Sequence, residues 1–199
     1  AELVKSEKGL TAKPITKKSV SAISSYTHAV EFDKTPVLIG ERINPTGKKK
    51  LKEALKNEDI DYILKEAISQ EDKGVHVLDV NVGLPEINEV ETLTKVIKEV
   101  QAIVNLPLQI DTSNVTAMEK ALRIYNGKAM LNSVNGKEES MKAVFPLIKK
   151  YGGVAIAVTL DENGIPDSAQ GRVAIAEKII AKASEYGIEP KNIIVDPLA

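Results

Sequence analysis

Short apolar runs alternate with amphipathic segments from Pro36 onward, and this alternation constrains the fold more than any other feature of the chain. The runs are rich in Val, Ile and Leu, as buried parallel strands are. They occupy residues 36–44, 76–83, 107–112, 128–133, 154–160 and 192–197. Between them, apolar side chains recur at three- and four-residue spacing, which predicts helices, and glycines at positions 74, 127, 152 and 187 mark their expected ends. Repeated strand–helix units predict a parallel sheet covered by helices.

Six predicted strands are compatible with two α/β architectures. A closed eight-stranded barrel typically needs about 250 residues, whereas this chain has 199. The last run ends in "VDPLA", with no helix after it. The sequence therefore predicts either a six-stranded open sheet or a TIM (β/α)8-type barrel truncated after its sixth strand.

Residues 1–35 differ in composition from the remainder of the chain. Lysines are interspersed there with serine and threonine, and Pro14 interrupts any helix. We interpret this part as an interdomain linker or N-terminal tail, with a possible short strand in "AVEF" at 29–32. Residues 36–199 are then predicted to form the barrel domain, with its C-terminal part missing.

Composition narrows the classes of partner. The 27 basic and 28 acidic residues give a net charge of −1, so neither nucleic acid nor an anionic membrane is expected as the main partner. The sequence contains no cysteine, which excludes disulfides, thiolate metal sites and cysteine nucleophiles and is compatible with a cytoplasmic location. No segment approaches the roughly 20 apolar residues that span a bilayer.

Polar residues stand where the six predicted strands end. In both architectures the carboxyl ends of the strands form the face that binds ligands. The residues at these ends are Glu41, Asn44, Asp79, Asn81, Asp111, Asn132, Thr159, Asp161 and Asp196. No imidazole or glycine-rich phosphate loop stands among them, which disfavours covalent acyl transfer. Their wide spacing and the asparagines also argue against a metal site, and none is predicted.

Such a ring of carboxylates and carboxamides suits a planar heterocycle with adjacent N–H donors and carbonyl acceptors, such as a guanine-like or pterin-like ring. The competing interpretation is helix capping, in which each residue contributes about 1 kcal/mol to stability. Asp111 is the better site candidate because Thr112, Ser113 and Asn114 follow it as alternative caps.

The motifs "GERINPTGKK", "VLDVNVG", "LQIDT", "LNSVNG" and "IIVDP" resemble the pterin-binding methyltransferase family. That family includes the folate-binding domain of cobalamin-dependent methionine synthase and the methyltetrahydrofolate:corrinoid methyltransferases. Dihydropteroate synthase is a more distant relative, whose loops after strands one and two differ from "NPTGKKK" and "DVNVG" here. The difference favours methyl transfer over pterin condensation.

The resemblance implies a methyltransferase barrel with 5-methyltetrahydrofolate in its mouth. Asp111, Asn132 and Asp196 would bind the pterin edge and form the network that protonates N5. Glu41 and Asn44 would line the pocket, and Asp79 and Asn81 match the family less securely. The family also uses an asparagine at the end of strand seven, which this chain does not reach, so we expect the fragment alone to be inactive.

The resemblance also implies partners for the complete parent protein. The methyl group would pass to the Co(I) state of a cobalamin carried by another domain or protein. The segment "GLTAKPITKKSV" resembles a linker that leaves a homocysteine-binding domain. Three alternatives stay open: a pterin-binding fragment without turnover, a dihydropteroate-synthase-like enzyme, and a six-stranded α/β interaction module.

Overall fold

A computed structural model describes residues 19–32 and 35–198 of the chain. Two short strands, β1 (Ala22–Ser24) and β2 (Ala29–Glu31), form an antiparallel hairpin. The longer strands are β3 (Ile39–Ile43), β4 (Val77–Val80), β5 (Leu108–Asp111), β6 (Met130–Asn135), β7 (Val154–Val158) and β8 (Ile193–Asp196). The helices are α1 (Lys49–Lys56), α2 (Ile60–Asp72), α3 (Glu89–Ile103), α4 (Val115–Ile124), α5 (Glu138–Tyr151) and α6 (Ala169–Glu185).

The six longer strands form one parallel sheet in the order β3-β4-β5-β6-β7-β8. This confirms the predicted α/β fold with a parallel sheet, in which each strand pairs with the next one along the chain. β3 and β8 are the two edge strands of this sheet. The pairing register shifts once between Gly40 and Ile43 and once between Asn132 and Val134, so both irregularities lie toward the carboxyl ends of the strands.

The two faces of the sheet have different surroundings. The outer face packs against the helices through alternate residues such as Leu78, Leu108 and Ile110, which are fully buried. Val77, Met130 and Val154 begin their strands and point to the opposite, inner face. Because side chains alternate along a strand, Asp79 and Asn132, two residues beyond Val77 and Met130, lie on this inner face too.

The β1–β2 hairpin covers the inner face at the amino ends of the strands. Ile23 and Val30 are buried against Val77, Met130 and Val154. The backbone of Ser24 exchanges two hydrogen bonds with that of Lys128, at 2.9 and 3.0 Å. The hairpin therefore closes the base of the inner face and leaves the carboxyl ends of the strands as its accessible side.

Local signals in the sequence account for the helix ends. Asn114 caps α4 by accepting hydrogen bonds from the backbone N–H groups of Thr116 and Ala117, as the sequence predicts for the residues after Asp111. Gly152 ends α5 in the left-handed conformation, with φ of 80°, which glycine adopts without steric cost.

The short strand expected in 29–32 corresponds to β2, whereas the interpretation of residues 1–18 as a linker lies outside the described residues. Within the described part of the chain, no helix is both long and apolar enough to cross a membrane.

Candidate functional site

The carboxylate of Asp111, at the end of β5, is held by two carboxamides from neighbouring strands. Asn81 donates from Nδ2 to Asp111 Oδ2 at 2.9 Å, and Asn44 donates from Nδ2 to the same oxygen at 3.5 Å. Both bonds go to one oxygen, so Oδ1 keeps its acceptor capacity. A half-buried carboxylate fixed in this way presents a ready acceptor to a ligand that carries N–H groups.

Asn44 connects this carboxylate to the end of β3. Its side chain is buried, with 6% exposure, and Nδ2 also lies 3.2 Å from Oε1 of Glu41. The carbonyl Oδ1 of Asn44 accepts from the backbone N–H of Thr46 at 3.0 Å and so fixes the turn that follows. The polar end of β3 therefore both turns the chain and lines the site.

A second polar layer lies deeper on the inner face. Asp79 and Gln109 are opposite each other on β4 and β5, both are buried, and Gln109 Nε2 donates to Asp79 Oδ1. The remaining oxygens, Asp79 Oδ2 and Gln109 Oε1, are buried without a hydrogen-bond partner among the described residues. A protonated Asp79 suits this surrounding, because a neutral carboxyl avoids the cost of burying a charge.

Burial and neighbouring acids raise the pKa of Asp79 and of Asp111. Burial, with the charge of Asp111 next in size, raises the pKa of Asp79 to about 7. Burial also raises the pKa of Asp111, helped by the charges of Glu41 and Glu89, while the hydrogen bond from Asn81 opposes the rise. Asp79 therefore holds a proton up to about pH 7. The hydrogen bond from Asn81 favours the ionised form of Asp111.

Asn132 and Asp196 occupy different surroundings. Asn132 on β6 is half-buried and lies opposite Asp111 in the sheet register. A cavity of about 450 Å³ opens beside these two residues and extends between α4 and α5. Asp196 ends the edge strand β8 and is exposed, where Oδ1 accepts from the backbone N–H of Leu198 at 2.9 Å. The structure thus brings Asn132 beside the central carboxylate, while Asp196 stands at the border of the sheet.

Two of the other predicted residues have structural partners. Thr159 is buried and donates from Oγ1 to the backbone carbonyl of Asp196 at 3.1 Å. Asp161 accepts from the backbone N–H of Asn163 at 2.8 Å within a turn. Their positions at a strand end are explained by β7–β8 pairing and by turn formation.

Sequence reasoning missed Gln109 and Glu89. Gln109 is the one polar residue in the apolar run "PLQI" that precedes Asp111, and it points inward with Asp79. Its position in the alternation was the available signal. Glu89, in the first turn of α3, accepts hydrogen bonds from Thr112 Oγ1 and, at 3.3 Å, from Asn114 Nδ2. No local pattern marks it, because its partners are more than twenty residues away.

Within residues 19–32 and 35–198, no group of three or more His, Cys, Asp or Glu side chains is arranged to hold a metal ion. Acceptor carboxylates and bifunctional carboxamides instead form the site, and these match the donor-rich edge of a flat heterocycle. Fold and site together define an α/β protein with a carboxylate–carboxamide site at the carboxyl ends of parallel strands.

The chain belongs to the pterin binding enzyme family, whose profile matches residues 40–199. It is 29% identical over 185 residues to a methionine synthase from Mycobacterium leprae, and this covers 89% of the chain and 15% of that protein. It is also 29% identical over 167 residues to a methylcorrinoid:tetrahydrofolate methyltransferase from Eubacterium limosum, covering 81% of the chain and 60% of that protein. The resemblance drawn from the sequence motifs is thereby confirmed.

Solved structures share the fold at lower identity. A dihydropteroate synthase from Coxiella burnetii in complex with pteroic acid superposes with a TM-score of 0.66 at 17% identity, covering 88% of this chain and 65% of that one. The 7,8-dihydropteroate synthase from Vibrio fischeri gives a TM-score of 0.65 at 18% identity, covering 88% and 66%. The chain thus spans less than two thirds of the relatives and neighbours named here.

Proposed function

We propose that this chain binds 5-methyltetrahydrofolate and that the complete parent protein transfers its N5 methyl group to a corrinoid in the Co(I) state as part of methionine synthesis. The observation that carries the proposal is the Asp111 carboxylate, held by Asn44 and Asn81 with one oxygen still able to accept. The named relatives support methyl transfer, since both are named for methionine synthesis or for a methylcorrinoid and a folate.

Binding follows from complementary hydrogen bonding. The pterin ring presents an amino group and adjacent ring N–H, which pair with the two oxygens of a carboxylate. We assign Asp111 and Asn132 to this edge, with Asp196 closing the pocket from β8. Glu41 and Asn44 line the ring from the end of β3. Asn81 holds the Asp111 carboxylate, and Asp79 forms the polar layer below it.

Methyl transfer requires a proton at N5. When the N5–C bond breaks, the electron pair stays on nitrogen, and an uncharged tetrahydrofolate forms only if N5 is protonated or strongly hydrogen-bonded in the transition state. The corrinoid, carried by another domain or protein, supplies the Co(I) nucleophile that accepts the methyl group. The chain's own part is to orient the methyl outward and to hold the proton network of Asp111, Asn132 and Asp196.

In the complete parent protein we expect further structural elements on both sides of this chain. An eight-stranded barrel would add two strands beyond β8, and a homocysteine-binding domain would precede the segment at 9–20. We place the reaction in the cytoplasm, because a Co(I) centre persists only under reducing conditions. The 199-residue chain alone is expected to bind without turnover.

Calorimetric titration of this chain with (6S)-5-methyltetrahydrofolate tests the proposal. We expect saturable binding that Asp111→Asn weakens and that Asp72→Asn, an exposed change at the end of α2, leaves unchanged. No binding by a chain whose circular dichroism shows the expected helices would contradict the proposal. Titration with 4-aminobenzoate and a pterin pyrophosphate, followed by product analysis, would instead reveal the condensation reaction.

A further inference from the structure

Two buried side chains on the inner face, Asp79 and Gln109, face each other with one hydrogen bond made and one missing. They are 1% and 5% exposed and lie opposite each other on β4 and β5. Gln109 Nε2 donates to Asp79 Oδ1, whereas Asp79 Oδ2 and Gln109 Oε1 are buried without a hydrogen-bond partner among the described residues. An ionised Asp79 would therefore leave two buried acceptors unpaired, and each would keep the cost of its lost hydration.

A single proton satisfies both oxygens. A neutral carboxyl group has an O–H donor beside a carbonyl acceptor, and a carboxamide has an N–H donor beside a carbonyl acceptor. Two such groups that already share one hydrogen bond can close a ring by a second bond in the opposite direction. With a proton on Oδ2, Asp79 supplies the donor that Gln109 Oε1 lacks.

The state of Asp79 also decides how the donors of Asn44 are shared. Asn44 Nδ2 carries two hydrogens and lies 3.2 Å from Glu41 Oε1 and 3.5 Å from Asp111 Oδ2. Its amide cannot turn over, because Oδ1 accepts from the backbone of the following turn. Asn44 also donates toward Asp79, where its bond opposes the rise in pKa that burial causes. Three acids thus compete for the two hydrogens of one amide.

The charges around Asp79 favour its neutral form. The charged groups that face it are Glu41, at the end of β3, and Asp111, on β5, and both are acids. No described lysine, arginine or histidine is among the groups that shift the pKa of Asp79. An ionised Asp79 would add a third negative charge to this face, whereas a neutral one adds none.

We propose that Asp79 carries a proton on Oδ2 and donates it to Gln109 Oε1, so that the two side chains form a reciprocal acid–amide pair. Because Asp79 is then satisfied by its partner, both hydrogens of Asn44 stay with the other two acids. Gln109 is a positioning residue, which holds the Asp111 carboxylate in place without touching the ligand. This positioning role rests on the proposed function, whereas the pair itself does not.

Infrared difference spectroscopy tests the pair without any ligand. At about pH 6, the spectrum of the chain minus that of Asp79→Asn should contain the C=O band of one neutral carboxyl group, because the pKa of Asp79 is raised to about 7. The same band, measured as Gln109→Leu minus Asp79→Asn/Gln109→Leu, should move to higher frequency because its hydrogen bonds are lost. A difference spectrum with carboxylate bands alone, or a band that Gln109→Leu does not move, would overturn the pair.

Calorimetric titration with (6S)-5-methyltetrahydrofolate tests the positioning role. Gln109→Leu should weaken binding about 3- to 30-fold, because Asp79 then draws on the hydrogens of Asn44. Gln101→Leu is the matched control. It removes a buried glutamine on α3 whose two hydrogen bonds go to the backbone of Asn126, and it should leave the affinity within about 2-fold.

Exchanging the two groups separates pairing from packing, because glutamate and glutamine have the same shape. Gln109→Glu places two carboxyl groups opposite each other, so its affinity should fall as pH rises from about 5 to about 8 and both ionise. Asp79→Asn/Gln109→Glu puts the amide on β4 and the acid on β5, which restores the pair in the reverse direction. At about pH 7 it should bind about 3- to 10-fold more tightly than Gln109→Glu.

The outcomes separate the two proposals. If the original chain binds and Gln109→Leu binds equally well, or if the exchange variant is no better than Gln109→Glu, the positioning role is overturned and the proposed function stands. If the folded original chain does not bind, the proposed function and the positioning role both fail, and the infrared band still decides the pair.

Discussion

The Nδ2 atom of Asn81, just beyond β4, lies 2.9 Å from Oδ2 of Asp111 at the end of β5. The same asparagine accepts the backbone N–H of Gly83 on its Oδ1 at 2.8 Å, so its amide can point in one direction only. The loop after β4 thereby fixes the carboxylate of the next strand. Asn81 thus stabilises the turn at Gly83 and also orients the carboxylate of Asp111, which we propose binds the ligand.

Replacing Asp111 with asparagine should weaken pterin binding about 10- to 100-fold, since a charge-assisted hydrogen bond contributes about 1.5–3 kcal/mol. The side chain keeps its size, but one of its two positions becomes a donor that faces donors from the ligand and from Asn81. Calorimetric titration with (6S)-5-methyltetrahydrofolate measures the change, with Asp72→Asn as control. Unchanged affinity in the variant would remove Asp111 from the site.

Replacing Asn81 with aspartate should weaken binding more than replacing it with alanine. Alanine removes the hydrogen bond that lowers the pKa of Asp111, whereas aspartate also adds a like charge beside Oδ2 and raises that pKa further. The ratio of the two dissociation constants should grow as pH rises, since the added carboxylate ionises. Asn126→Asp, an exposed change in the loop between α4 and β6, is the control for the added charge. Equal dissociation constants for the aspartate and alanine variants of Asn81 at all pH values would argue against this account.

Stability should fall as pH rises from about 4 to about 7, through Asp79. The unfolded chain releases this proton near the ordinary pKa of 3.8, whereas the folded chain holds it up to about 7. Between these values the folded state binds more protons, so a rising pH favours unfolding. The contribution is complete below about pH 4 and lost above about pH 7.

Asp79→Asn should therefore flatten the pH dependence and stabilise the fold at pH 8 by about 1–4 kcal/mol. Asparagine keeps the oxygen that accepts from Gln109 and removes the buried charge. Urea unfolding of the variant and the original chain at several pH values between about 4 and 8 measures this. A variant less stable than the original chain at pH 8 would show that the Asp79 carboxylate is stabilised by a partner.

Gly127→Ala should destabilise the fold by more than about 2 kcal/mol, because the added Cβ would lie 2.3 Å from the backbone oxygen of Ser24 and φ is +135°. Gly74→Ala has the matching backbone strain, with φ of +80°, but open space around the new atom, so about 1 kcal/mol is expected there. Urea unfolding compares the two. Equal losses would mean that the hairpin contact at Ser24 adds little.

Much of the fold could be predicted from the order of residues along the chain. The runs that became β3 to β8 were recognisable because a strand buried on both faces is apolar almost throughout. Helix ends at Gly152 and Asn114 were readable from local chemistry alone. The position of Asp111 followed from the same logic, because the carboxyl ends of parallel strands meet at one side of a sheet.

Other features depended on contacts between distant residues. The sequence indicated β2 but not its pairing with β1, and the place of this hairpin is set by burial of Ile23 and Val30 against the inner face. Gln109 gained its role because sheet register puts it opposite Asp79. Asp196 and Asp161 are equally polar strand ends in the sequence. Asp196 is more exposed than Asp111, and Asp161 accepts a hydrogen bond within its own turn.

The sequence by itself thus determined the elements, their order and the type of residue at each strand end, since periodicity and capping act over a few residues. Only the tertiary structure decided which side chains meet, which oxygens stay without partners, and how burial and neighbouring acids raise the pKa of Asp79 and of Asp111. The physical reason is that burial and charge interactions act through space. They are fixed by the register and faces of the sheet, which join residues thirty or more positions apart.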